Sequence, residues 1–96
     1  MLVIRASEEC MNVVHKYKLE PRTTLYLPRQ ARILNVGIQR SDDIVMWVLH
    51  QFPTITEPRN FICVFTGDPF DDVIKSYIGT VTSNYGIVWH VFEVEL

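Results

Sequence analysis

Apolar and polar residues alternate along short runs of this chain, and turn-forming residues separate the runs. Alternation with a period of two is typical of β-strands that bury one face. The pattern predicts strands over 13–19, 23–27, 32–39, 44–51 and 61–66, and a C-terminal hairpin over 77–94 that turns at 83–86. The sequence thus predicts an all-β protein, either a compact antiparallel β-sandwich or a small barrel, of about six to eight strands.

Prolines, glycine and acids mark the irregular parts of the chain. Pro53 and Pro58 predict a loop over 52–60, since proline has no N–H for a sheet ladder. Gly67 begins a strong break in the strand pattern. Asp71 and Asp72 follow it, and since acids are favourable at the start of a helix, at most one short helical turn is expected near 71–76.

Three predicted strands, namely 44–51, 61–66 and the last strand of the hairpin, are apolar on both faces. In the strand at 32–39 we expect Leu34, Val36 and Ile38 to face the core. A sandwich of 96 residues covers only one face of each sheet, so the surplus apolar surface predicts a partner, most simply a homo-oligomer.

The chain divides into an N-terminal appendage at 1–12 and a single β domain at 13–96. The appendage contains charges without strand alternation, apart from a short edge strand predicted at 2–4.

Composition places the chain among folded proteins without a nucleic-acid or membrane signature. Hydrophobic residues make up 48% and charged residues 21% of the sequence, which excludes a disordered chain. The formal net charge of -2 argues against general binding to phosphate backbones. No run approaches the ~20 apolar residues of a membrane span, and the N-terminus lacks a signal-peptide pattern. With only two cysteines, the sequence predicts a cytoplasmic protein without a disulfide framework.

The sequence lacks the usual patterns of catalytic and metal sites. His15, His50 and His90 are tens of residues apart and no Cys-x-x-Cys accompanies them, so we predict no metal site. The acids of the 68–72 loop fit turn and capping roles better than calcium binding. No serine or cysteine has the context of a nucleophile, and there is no glycine-rich phosphate loop. We therefore predict a protein that is not an enzyme and uses no cofactor.

Arginines near loops and strand ends, together with aromatic residues, are the remaining candidates for ligand binding. Arginine forks beside flat rings can hold a nucleotide or another small anion, often where subunits meet. For Trp47 and Trp89 the alternative is a core position, since both lie in strands that are apolar throughout. The predicted ligand-binding residues are Arg32, Arg40, Trp47, His50, Tyr77, Trp89 and His90.

An ordered set of short motifs runs through most of residues 13–93. The motifs are VHKY at 14–17, LYLP at 25–28, ILNV at 33–36, TGDP at 66–69, YIGT at 77–80 and WHVFE at 89–93. In order and spacing this set resembles a family of short phage and prophage proteins of unknown function. The resemblance implies a phage or prophage origin and brings no known activity. This chain departs from the family pattern at 65–69, so no role is carried over to that loop.

Three functional hypotheses fit these observations. The first is a phage-encoded, oligomeric binding protein that intercepts a small anionic ligand, such as a nucleotide signal, or a host protein. The second is a structural or virion accessory protein. The third is a hydrolase with a site between subunits, in which His90→Ala would abolish a pH-dependent activity without loss of folding. The lack of catalytic patterns favours the first hypothesis.

Overall fold

Seven strands form the part of the chain that this computed structural model describes, namely residues 11–40, 42–52 and 55–96. The strands are β1 (Met11–Leu19), β2 (Arg22–Pro28), β3 (Arg32–Gln39), β4 (Asp43–Phe52), β5 (Thr56–Phe65), β6 (Ile74–Thr82) and β7 (Val88–Val94). Each strand predicted between residues 13 and 94 is present, and β6 and β7 form the predicted C-terminal hairpin. The edge strand predicted at 2–4 lies outside the described residues, as does most of the predicted appendage.

The strands form two antiparallel sheets, a first sheet of order β1-β4-β3 and a second sheet of order β2-β5-β7-β6. Alternate residues of each strand point into the space between the sheets. The buried core that fills this space consists of Leu19, Leu27, Ala31, Val36, Ile44, Met46, Val48, Phe61, Cys63, Val81 and Val91. The described strands do not close into a barrel, so the sandwich is the correct member of the predicted pair.

A crossover segment, residues 66–73, covers part of the outer face of the second sheet. It connects β5 to β6, which run parallel because each is antiparallel to β7 between them. Phe70 of this segment packs on Phe92 of β7, with ring centroids 5.4 Å apart. Two other side chains of the outer face, Ile62 and Val94, are only 2% and 3% exposed. The chain itself thus covers apolar surface of β5 and β7 that the sequence pattern assigned to a partner.

A β-bulge in β3 shifts the alternation predicted for that strand. Val36 and Ile38 pack in the core as predicted, but the register with β4 slips by one residue between Ile33 and Asn35. Leu34 occupies the bulge and is 45% exposed, whereas Ile33 packs against the core. The inward orientation predicted for Leu34 is therefore wrong, because the extra residue of a bulge reverses the side chains beyond it.

β5 begins earlier than predicted, at Thr56, and includes Pro58. The loop predicted over 52–60 is therefore too long. The physical reason is that β5 pairs with β7 only from Asn60 onward, so one edge of β5 has no described strand partner at the proline. A missing N–H is tolerated at such an edge. Pro53 lies outside the described residues.

The segment at 71–76 does not form the helical turn that its acidic start allowed. Residues 71–73 are irregular, and β6 begins at Ile74. The Asp72 carboxylate accepts two hydrogen bonds of 2.7 Å from the guanidinium of Arg22 on β2. This pairing ties the end of the crossover segment to the sheet and favours an extended chain.

A buried ion pair lies at one end of the core. Arg59 of β5 donates hydrogen bonds of 2.8 and 2.7 Å to the two carboxylate oxygens of Glu93, and one of 2.8 Å to the carbonyl oxygen of Ala31. The two side chains are 16% and 7% exposed. Through these hydrogen bonds and its charge, Arg59 lowers the pKa of Glu93 below the ordinary value, and Glu93 raises the pKa of Arg59. The pair fixes the β2–β3 turn to the second sheet.

Candidate functional site

The seven predicted ligand-binding residues do not form one site. The structure places Arg32 and Trp47 on the outer face of the first sheet, His50 on its inner face, Arg40 in the β3–β4 turn, Tyr77 and His90 on the outer face of the second sheet, and Trp89 on its inner face. A cavity lined by described residues brings Arg32 and His50 together.

That cavity, which we call the Arg32 cavity, has a volume of about 330 Å³ and lies at one end of the first sheet. It is lined by Asn12, Pro28, Gln30, Arg32, Leu49, His50 and Gln51. The β2–β3 turn, in which Ala31 N donates to Pro28 O at 3.0 Å, brings Gln30 and Arg32 to its edge. No carboxylate occurs among the described lining residues. Its size is at the low end for small-molecule sites, and its guanidinium and amide groups are donors suited to an anion.

Arg32 differs from most described arginines in that no described carboxylate is its partner. The guanidinium groups of Arg22, Arg29 and Arg59 each lie within 3.4 Å of a carboxylate oxygen. Among the described residues no carboxylate forms an ion pair with Arg32 or Arg40. None of the described carboxylates therefore occupies the donors of the Arg32 guanidinium, which suit an anionic ligand.

His50 reaches the Arg32 cavity beside a second imidazole. His50 Nε2 lies 3.2 Å from His15 Nδ1 of the neighbouring strand β1, and the two ring centroids are 4.9 Å apart. His50 Nδ1 lies 3.3 Å from the carbonyl oxygen of Gln51. In the tautomer that donates to this carbonyl, Nδ1 carries the proton and Nε2 presents its lone pair to His15. His50 is 8% exposed, so the sheet holds this ring in place.

Trp47 lies on the same outer face of the first sheet as Arg32. Its six-membered ring lies over Gly37, where an added methyl group would come within 3.2 Å of the ring. The absence of a side chain at Gly37 thus leaves room for the indole ring. Lys16 crosses this face and donates a hydrogen bond of 2.7 Å to Gln39. Trp47 is half-buried, so part of its ring remains available beside a basic surface.

Comparison with protein families gives one finding. A model of a domain of unknown function, DUF7352, matches residues 11–96. The chain belongs to this family. Membership in a family of unknown function is thereby confirmed, while the phage or prophage origin stays a prediction. The chain has no match among curated proteins or solved structures. Within residues 11–40, 42–52 and 55–96, no helix is long and apolar enough to cross a membrane.

Trp89 of this DUF7352 domain lines a different cavity, of about 310 Å³, at the opposite end of the sandwich. Glu20, Asp42 and Asp43 contribute three carboxylates to its lining, and Lys18 contributes one ammonium group. Lys18 lies 3.7 Å from Glu20 and 3.6 Å from Asp43. The excess of negative charge disfavours an anion. This cavity therefore does not suit the small anion that the sequence predicted.

His90 and Tyr77 belong to a chain of hydrogen bonds on the outer face of the second sheet. His90 Nε2 lies 2.7 Å from Thr66 Oγ1, and His90 Nδ1 lies 3.1 Å from Thr80 Oγ1. Thr80 also bonds the Tyr77 hydroxyl. Both ring nitrogens of His90 are thus bonded to threonine hydroxyls, which can either donate or accept. Neither of these described partners is a carboxylate. These hydrogen bonds join β6, β7 and the crossover segment, and no acid in the described part of the chain bonds to His90 as one does to the histidine of a catalytic triad.

Several residues of the Arg32 cavity were missed from the sequence. The amides of Asn12, Gln30 and Gln51 gave no signal, because such residues are common at strand ends and turns. His15 was recognised as a histidine but not as the neighbour of His50. That contact depends on the pairing of β1 with β4, which two intervening strands separate in the sequence. A prediction of this pairing would have been needed to find it.

Proposed function

We propose that this DUF7352 domain is a non-catalytic binding protein that takes a small anionic ligand in the Arg32 cavity. The observation that carries the proposal is the chemistry of the lining: one guanidinium and three amides that can donate to an anion, with no carboxylate among the described residues. Charge-assisted hydrogen bonds to a guanidinium are stronger than neutral ones and have a defined geometry for phosphate and carboxylate. The cavity volume of about 330 Å³ suits a single phosphate or carboxylate group with a small organic part.

A mononucleotide is the ligand class that uses the most of this surface. Arg32 lies opposite Leu49 in the β3–β4 ladder, and Trp47 is on the same face two residues along β4. A phosphate held by Arg32 would leave a base close to the half-buried indole ring. Stacking of a base on an aromatic side chain contributes about 1–3 kcal/mol. The resemblance to phage and prophage proteins supports the interception of a host nucleotide signal as the biological role.

The test is a thermal-shift and calorimetric titration with inorganic phosphate, AMP and cyclic AMP. Ligand at 100 times its Kd stabilises the folded state by ~2.7 kcal/mol. For a domain of this size that corresponds to a rise in Tm of roughly 10–20 °C. Arg32→Ala removes charge-assisted hydrogen bonds, which are worth about 1.5–3 kcal/mol, and should weaken binding by roughly 10–100-fold.

Arg40→Ala is the matched control, because Arg40 is also exposed, has no described ion pair and lies in the β3–β4 turn, outside the Arg32 cavity. This variant should bind like the wild type. Equal losses in Arg32→Ala and Arg40→Ala would show only a general effect of charge. No shift with any of the three ligands would refute the proposal.

The homo-oligomer remains part of the proposal, and charge favours one face for it. The outer face of the first sheet carries Lys16 and Arg32. A two-fold contact through this face would bring positive charges of the two copies close together, and their repulsion disfavours it. On the outer face of the second sheet, Tyr77 and Ile74 are 59% and 48% exposed and carry no charge. Light scattering should show a species larger than one 11.2 kDa chain, and Tyr77→Lys should dissociate it. Tyr85→Lys, in the β6–β7 turn, is the control; a wild-type monomer would contradict this part of the proposal.

A further inference from the structure

Two imidazoles beside the Arg32 cavity bring ring nitrogens within the spacing of two ligands of one metal ion, which the sequence did not predict. Wide spacing along the chain argued against a metal, since His15 and His50 are 35 residues apart. The pairing of β1 with β4 removes that objection, because it brings His15 Nδ1 within 3.2 Å of His50 Nε2. Both side chains lie on the inner face of the first sheet, His15 midway along β1 and His50 near the end of β4.

The distance between the two nitrogens fits a shared ion. Imidazole nitrogens bind Zn²⁺ at about 2.0–2.1 Å, and in tetrahedral geometry two such ligands lie roughly 3.3–3.4 Å apart. The observed separation of 3.2 Å differs little from this value. A small rotation of the more exposed His15 ring would direct both lone pairs to one point. The edge strand β1 leaves room for that rotation, since His15 is exposed there.

The surroundings of His50 are also those of a metal ligand. Metal-binding histidines commonly donate their second ring N–H to a backbone carbonyl or a carboxylate, which fixes the tautomer and the ring. His50 Nδ1 makes such a contact with the Gln51 carbonyl oxygen, at 3.3 Å. This leaves the lone pair of Nε2 directed away from the backbone and toward His15.

We propose that His15 Nδ1 and His50 Nε2 together bind a divalent transition-metal ion such as Zn²⁺. Among the described residues, no third His, Cys, Asp or Glu lies with them. The described residues therefore provide two protein ligands, and positions are left for water or another ligand, unlike in a closed structural zinc site. Binding should accordingly be weaker and more rapidly reversible than in a structural site with four ligands.

Metal binding does not depend on the anion-binding function proposed above, but the two would be coupled. A divalent cation at His50 adds positive charge to the wall of a cavity that holds Arg32 and no described carboxylate. An anion in the cavity could also occupy an open position of the ion. Each ligand should then raise the affinity for the other by the same factor, as linkage requires.

The experiment is a calorimetric titration of the full chain with ZnCl₂, in a buffer without phosphate, for the wild type and three variants. We expect one ion per chain. His15→Ala should weaken binding by at least about 100-fold, since even groups that only orient a metal ligand are worth 10–100-fold. His15 is exposed and does not line the Arg32 cavity, so this variant should fold and retain phosphate binding after treatment with EDTA.

The two other variants separate this inference from the proposed function. Arg32→Ala should keep Zn²⁺ binding while it loses phosphate binding. His90→Ala, the histidine on the other sheet, should bind Zn²⁺ like the wild type. The absence of Zn²⁺ binding by the wild type would overturn the inference. Equal affinity in the wild type and His15→Ala would also overturn it, because the ion would then bind elsewhere on the chain.

Discussion

The buried pair of Arg59 and Glu93 should be the most sensitive polar contact of the fold. Arg59→Met leaves the Glu93 side chain, which is 7% exposed, without a counter-charge and removes the donor to the Ala31 carbonyl. Removing one partner of a buried ion pair costs about 3–5 kcal/mol. Because water still reaches 16% of the Arg59 side chain, we expect the low end of this range, about 3 kcal/mol. Against a total stability of roughly 5–10 kcal/mol for a domain of this size, that loss is large.

Glu93→Gln should cost less than Arg59→Met, about 2 kcal/mol, because an amide oxygen can still accept one of the two hydrogen bonds that Glu93 now receives. In a double-mutant cycle the variant with both changes should be more stable than the sum of the single losses predicts. The coupling energy should be about 2 kcal/mol. This coupling energy measures the interaction between Arg59 and Glu93, separately from the cost of removing each group from water.

The assay is urea unfolding followed by tryptophan fluorescence, with stability taken from the midpoint at a constant slope. Arg22→Met is the matched control. Arg22 also makes two hydrogen bonds of 2.7 Å to one carboxylate, but its side chain is 66% exposed, so the loss should be far smaller. If Arg59→Met and Glu93→Gln each cost less than about 1 kcal/mol, or if their effects are additive, the reasoning from burial is refuted.

The same pair predicts the direction of an acid effect. Arg59 lowers the pKa of folded Glu93 below the ordinary value of 4.5. A group with a lowered folded pKa stabilises the protein above its unfolded pKa, and that contribution is lost as the pH falls through the folded pKa. The difference in unfolding free energy between the wild type and Glu93→Gln should therefore be constant above about pH 5 and shrink as the pH falls below 4.5. A difference that grows on acidification would contradict this assignment.

Two further predictions follow from close packing. A methyl group at Gly79 would come within 2.8 Å of Val36 Cγ2 on the facing sheet, so Gly79→Ala should cost about 1–3 kcal/mol in urea unfolding. When Val36→Ala is added to Gly79→Ala, the cost of Gly79→Ala should become smaller because the contacting methyl group is gone. If the stability losses of the two substitutions are simply additive, the clash is not the cause. Burial raises the pKa of the Cys63 thiol to about 11. In a chain carrying Cys10→Ser, a thiol reagent at pH 8 should therefore modify Cys63 only as fast as the domain unfolds, and rapid reaction of the folded protein would refute its burial.

The strands were predictable because alternation is a local property. β1 shows it clearly, with lysines on the wet face and Leu19 in the core. Which part of the molecule packs on the outer faces of β5 and β7 could not be predicted from alternation. β5 and β7 are apolar on both faces because Phe70 and the rest of the crossover segment pack on the outer face, which no count of apolar residues within a strand reveals. A second copy is therefore not required to cover Ile62 and Val94, although other apolar side chains of that face remain exposed.

The Arg32 cavity shows how one extra residue decides a site. The β3–β4 ladder pairs Gln39 with Asp43 next to the turn, and the same register continued along β3 would place Arg32 opposite His50 and on the inner face. The bulge at Leu34 shifts the pairing by one, so that Arg32 lies opposite Leu49 and its side chain emerges on the outer face. The guanidinium and the imidazole therefore approach the end of the sheet from its two sides. A regular hairpin would have placed the Arg32 guanidinium beside the His50 imidazole on the inner face of the sheet, where burial of an unpaired charge is costly.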